Sequence, residues 1–148
     1  CTVSFWKMMT YRIKYSTLFT ERWMIMPKTT RNKNNIKHGT IELVLLLLLQ
    51  KEQKYGYQLS QELSEFSEGK YELKETTMYP TLYRLTQNGY LSFEQVKVGI
   101  KRTRVYYLIT DAGREYLQKI IDEYNTITQA ISLIMQKTGT ISWLKSDF

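Results

Sequence analysis

Cysteine occurs once in this 148-residue chain, at position 1, and histidine once, as His38. A lone thiol closes no internal disulfide, and one imidazole beside it makes no Cys/His set for a zinc site. No metal or cofactor is therefore expected. An enzyme reading fails for the same reason, since nothing groups into nucleophile, base and orienting residue. Long apolar runs are missing too. The longest, Leu43 to Leu49, falls far short of the roughly 20 residues that span a bilayer, and no apolar signal-peptide core precedes it. A cytoplasmic protein without a membrane partner is the expectation.

Acid is scarce in one part of the chain only. Before Gly39 there are eight Lys/Arg against Glu21 alone, so the net charge of +7 arises there and the remainder is balanced. Any nucleic-acid footprint in the body must come from local clustering. One such cluster exists: Lys97, Lys101, Arg102 and Arg104, with no acid among them. Composition, 43% apolar and 24% charged, is that of one globular domain with appendages.

Residues 1–37 show no sustained period and carry Met24 and Met26. They are expected to be an extension outside the fold, upstream of a start near those methionines; the alternative is a basic arm touching phosphates. Thr40 is expected to cap a helix, Ile41 to Leu49, apolar nearly all round and so buried on more than one side, which suggests a subunit partner. "YGYQLSQELSEF" reads as a short helix with Leu59, Leu63 and Phe66 inward and Gly56 allowing a sharp turn. Tyr71 to Lys74 alternates enough for a very short strand.

"ETTMYPTLYRLTQNGYL" is the most informative stretch. With Thr77 as cap, Pro80 falls in the first turn, where a missing N–H costs little. At 100° per residue, Met78, Leu82 and Leu85 face inward, while Thr76, Pro80, Tyr83, Arg84 and Gln87 face out. Gly89 ends the helix in the left-handed position. That outward face, compact, hydrogen-bonding and nearly acid-free, suits a nucleic-acid groove; equally, Tyr83 packs on a neighbour and the threonines are solvated. "YLSFEQVKV" and "TRVYYLIT" read as strands joined at the basic tip "GIKR". Finally, Leu117, Ile120, Tyr124, Ile127, Ile131 and Ile134 recur at alternating spacings of three and four, a heptad seam on a helix opened by Thr110 or Asp111. A subunit partner is expected along it.

This order of elements over about residues 39 to 136 resembles the PadR family of bacterial transcriptional regulators. Thr76, Thr77, Tyr79 and Pro80 match the family's Gly-Thr-Leu-Tyr-Pro helix start, Arg84 and Leu85 its Arg-Leu, and Gly89 its following glycine. Tyr106, Tyr107, Thr110 and Gly113 match the segment after the wing. Thr76 departs from a frequent glycine, Thr103 from a frequent proline and Val105 from a frequent basic residue, which bears on wing geometry. Tyr124 falls near a position where some drug-sensing relatives carry tryptophan, and it reads here as a plain seam residue.

The resemblance implies a mainly α fold with a small β-hairpin wing (α+β), that is, a winged helix-turn-helix over 38–110, a dimerisation helix over 111–138 and a loose tail over 139–148. It implies a homodimeric repressor that binds double-stranded DNA at a palindromic operator and is released by a small aromatic or drug-like effector. Expected DNA contacts are Thr76, Thr77, Tyr79, Pro80, Tyr83, Arg84 and Gln87 on the recognition helix. Lys97, Lys101, Arg102 and Arg104 would lie on phosphates, with Tyr55 and Tyr57 on the backbone at a helix start. The competing reading is a winged-helix protein-interaction module, for which the basic hairpin tip has no use.

Overall fold

The computed structural model describes residues 35–140. The extension expected over 1–37 and the tail expected over 139–148 fall almost wholly outside them. Two units are distinguishable, Cys1–Gly39 and Thr40–Phe148. The elements are α1 (Asn35–Leu49), β1 (Lys54–Tyr55), α2 (Gly56–Phe66), α3 (Glu75–Gln87), β2 (Leu91–Lys97), β3 (Thr103–Ile109) and α4 (Asp111–Lys137). Four helices and a small antiparallel sheet form the winged helix-turn-helix with its long C-terminal helix. Among the described residues, no helix is long and apolar enough to cross a membrane.

The core is built where the sequence is most apolar. Ile41, Leu43, Leu45, Leu46 and Leu49 of α1 are buried, together with Leu59 and Leu63 of α2, Met78, Leu82 and Leu85 of α3, and Leu91, Val105, Tyr107 and Leu117. Seven of these side chains are fully buried, each stabilising the fold by about 1.5–3 kcal/mol. Most of the apolar surface of α1 from Ile41 onward is thus covered within one subunit, with Leu47 and, upstream, Ile36 left exposed. Thr40 does not cap α1, which starts upstream of it; its hydroxyl instead lies 2.9 Å from the Tyr71 hydroxyl.

The sheet has the order β1-β3-β2. β2 and β3 pair from Leu91↔Ile109 to Lys97↔Thr103, and Lys54↔Tyr107 and Tyr55↔Tyr106 add the third strand. That third strand is not the one expected at 71–74. There the backbone bonds to side chains instead: Tyr71 N–H donates to Ser67 Oγ at 2.8 Å, and Ser60 Oγ donates to the Leu73 carbonyl at 3.1 Å. Phe66 does not join the inward stripe of α2 but is exposed.

α3 begins earlier than a Thr77 cap allows. Lys74 is its N-cap without any side-chain bond, and the N–H groups of Thr77 and Met78 both reach the Lys74 carbonyl at 3.0 Å. Glu75 in the first turn supplies the negative charge that a helix N-terminus favours. Pro80 consequently lies inside the helix, where it withholds the N–H that would reach the Thr76 carbonyl. Thr76 is exposed, so water can satisfy that oxygen. At the other end Gly89 adopts φ +80°, and Tyr90 N–H donates to the Leu85 carbonyl at 2.9 Å; this Schellman arrangement is the stop that the Asn88-Gly89 pair predicts.

Candidate nucleic-acid interface

The outward side of α3 collects the residues expected there. Thr76 and Gln87 are exposed, while Thr77, Tyr79, Pro80 and Tyr83 are half-buried. Gln87 Nε2 donates to Tyr83 Oη at 2.6 Å, one helical turn apart, which lines the two polar ends along the same ridge. Tyr79 leans the other way. Its ring covers Gly56 so closely that a Cβ at position 56 would meet Tyr79 Oη and Cζ. Gly56 opens α2 in ordinary helical backbone rather than in a glycine-only turn, and its lack of a Cβ leaves room for the Tyr79 ring.

The hairpin carries the basic cluster outward. Lys97 ends β2 opposite Thr103, Arg104 is the second residue of β3 opposite Val96, and Val98 N–H closes the tip on the Arg102 carbonyl at 2.7 Å. Lys97, Lys101, Arg102 and Arg104 are all exposed, and among the described residues none of them enters an ion pair. Arg104 has an aromatic support: its Cζ stands 4.4 Å from the centroid of the Tyr55 ring. The β1–β3 register creates this contact, since Tyr55 pairs with Tyr106 and meets its ring edge-on at 5.4 Å. Tyr55 also stacks near Tyr57 at 6.5 Å. Two expected backbone contacts and one wing cation thus form a single aromatic and basic patch.

Beside the patch Lys54 is buried, with its ammonium 2.6 Å from Glu52 and 3.0 Å from Glu62. Burial acts to depress its pKa, yet the hydrogen bonds and charges of Glu52 and Glu62 outweigh that, and it lies above the ordinary lysine value. Glu52 is held below the usual carboxylate range by the Lys54 hydrogen bond and charge.

Arg84 stands apart from the other outward residues. It is exposed, but its Nε and Nη2 both donate to Oε1 of Glu42 on α1, at 2.9 and 2.6 Å. Glu42 Oε2 accepts from Tyr116 Oη of α4 at 2.6 Å, and the Tyr116 ring lies flat on Tyr90, centroids 4.2 Å apart at 3°. The hydrogen bond to Glu42 is the first cause, and burial the second, that push the Tyr116 phenol up to about 12. Glu42, Tyr90 and Tyr116 were not anticipated. The signal that could have found Glu42 is its being the single acid of α1, set inside the apolar stretch from Ile41 to Leu49.

The expected seam of α4 divides in two. Leu117 is buried in the subunit's own core and Ile120 is half-buried, whereas Tyr124, Ile127, Ile131 and Ile134 are 47–61% exposed.

Comparison with known proteins matches residues 44–119 to the family model described as transcriptional regulator PadR-like. A transcriptional regulator from Clostridium thermocellum has a similar structure, with a TM-score of 0.62 and 29% identity over 68% of this chain and 94% of that one. PadR of Bacillus subtilis, solved in complex with operator DNA, gives a TM-score of 0.53 at 27% identity over 55% of this chain and 47% of that one. The negative transcriptional regulator PadR of Bacillus subtilis (strain 168) is 26% identical over 62% of this chain and 50% of its own. The chain thus spans about half the length of these Bacillus proteins.

Proposed function

Because the chain belongs to the PadR-like family of transcriptional regulators, and is not an enzyme, we propose that it acts as a dimeric repressor seated on a palindromic operator. In this reading the ridge of Thr76, Thr77, Pro80, Tyr83 and Gln87 enters the major groove, with Tyr79 at its edge. Lys97, Lys101, Arg102 and Arg104 take the flanking phosphates, and Tyr55 and Tyr57 take the backbone beside them. The exposed apolar stripe of α4, from Tyr124 to Ile134, pairs with a second copy and sets the half-site spacing. The domain limits follow: 38–110 for DNA, 111–138 for pairing. Release by a small aromatic or drug-like effector is the regulatory half of the proposal, resting on family resemblance.

One observation carries the DNA reading: a hydrogen-bonding helix face adjoins a hairpin with four exposed cations, none ion-paired among the described residues. Anions are what such a surface attracts. The test is a salt titration of fluorescence anisotropy with operator and scrambled duplexes. Arg102→Ala with Arg104→Ala should weaken binding to both and flatten the log-log salt slope by roughly 0.9 per lost contact. Thr77→Ala or Tyr83→Ala should cost about 1–3 kcal/mol on the operator alone. Binding indifferent to the wing substitutions would favour a protein-interaction module instead.

A further inference from the structure

Glu42 holds two elements with one carboxylate. Oε1 takes two donors of Arg84 on α3, and Oε2 takes the Tyr116 hydroxyl on α4. The pair lies at the surface, the Arg84 side chain being 58% exposed and that of Glu42 24%. On the helix, Arg84 occupies the flank of the outward ridge, one residue after Tyr83. A bare guanidinium there would be one more cation for any phosphate within reach.

The guanidinium is not bare. Its Nε and Nη2 edge, one of those that could grip a phosphate bidentately, is taken by Oε1, and the carboxylate behind it repels an approaching anion. We propose that Glu42 masks Arg84, removing one cation from the phosphate-contacting surface and so setting the protein's affinity for DNA of any sequence. This rests on the reading of α3 as the DNA-facing helix. The attraction to phosphate is independent of sequence and supplies nearly all non-specific affinity. Silencing a cation at the margin of the reading ridge weakens binding to every duplex, while the base contacts that distinguish the operator remain. Both affinities fall by the same factor, so their ratio stands, while less protein is held on non-specific DNA at a given salt concentration. Tyr116 makes the mask rigid. Its bond to Oε2 and its stack on Tyr90 fix the carboxylate from the side opposite Arg84.

The experiment compares wild type, Glu42→Gln and the double variant Glu42→Gln/Arg84→Gln by salt-titrated anisotropy on operator and scrambled duplexes, with thermal melts as a check on folding. Glutamine keeps the shape and can still accept from Tyr116, but carries no charge. Glu42→Gln should tighten binding to operator and scrambled DNA alike and steepen both salt slopes by about 0.9. The double variant should return the slope to the wild-type value. An unchanged slope in Glu42→Gln overturns the mask. Should that variant fail to melt cooperatively, the double variant decides alone: an unchanged slope supports the mask, and a slope flattened by about 0.9 puts Arg84 on phosphate already and overturns it. A wild type that binds neither duplex at low salt sinks the DNA reading itself and the mask with it, a result distinct from either of those.

Discussion

A methyl group on residue 113 would run into the Tyr90 carbonyl oxygen and crowd the Ile109 side chain. Neither neighbour can give way easily, because that carbonyl accepts from Thr110 N–H at 3.1 Å, while Thr110 Oγ1 caps α4 by accepting from Gly113 N–H at 3.0 Å. Gly113→Ala is expected to destabilise by about 1–3 kcal/mol, read from the urea midpoint at unchanged m. Gly39 is the converse: it lies within α1 with open space around its Cα. Gly39→Ala should stabilise by about 0.5–1 kcal/mol through helix propensity, and an opposite sign in the same titration would refute the difference in surroundings. Tyr116 adds a pH dependence. Its folded phenol is raised from 10 to about 12 by the Glu42 hydrogen bond first and burial second. The stability this contributes is intact below pH 10 and is lost as pH rises through about 12. In Tyr116→Phe that alkaline decline should be shallower, as measured by urea midpoints between pH 9 and the alkaline limit.

Among the elements, α2, the β2–β3 hairpin and α4 are legible in the sequence because each shows its own spacing of inward residues at least once. Leu59 with Leu63, Val105 with Tyr107, and the three-four spacing from Leu117 all announce their period. β1 is not legible: two residues, Lys54 and Tyr55, hold no alternation, and only pairing with β3 makes them a strand. The start of α3 escapes for another reason, since Lys74 caps it without a side-chain bond and Thr77 is the conventional candidate in that stretch. The candidate site divides similarly. The wing cations and the outward ridge of α3 are local in sequence, whereas Arg84 meets Glu42 across 42 residues and Tyr116 meets it across 74. Within α4 the division of labour predicts a contrast. Leu117→Ala should cost about 2–5 kcal/mol of subunit stability, because Leu117 is 4% exposed. Ile134→Ala should leave the urea midpoint of the isolated subunit nearly unchanged, because Ile134 is 61% exposed there.

At the scale of the whole molecule, the apolar stripe of α4 is what a second copy would cover. Ile127 and Ile131 are 51% and 48% exposed in one subunit, so placing Asp at both positions leaves the subunit fold intact and sets like charges against each other in a two-fold contact, each costing several kcal/mol when buried unpaired. Analytical ultracentrifugation should find the double variant at monomer mass; an unchanged dimer mass would mean that copies associate through another surface. Such a stripe is hazardous in a chain that also carries a sheet, and β1 bears on that hazard. A neighbour seeking to extend the sheet past β1 meets a ladder only two residues long. That ladder is anchored by an ammonium that two carboxylates hold in place. Strand addition, a common route from a crowded solution to fibrous precipitate, finds little template on that side. At the β1 edge, then, the fold offers little for stacking, while the helical stripe favours discrete pairs that stay soluble.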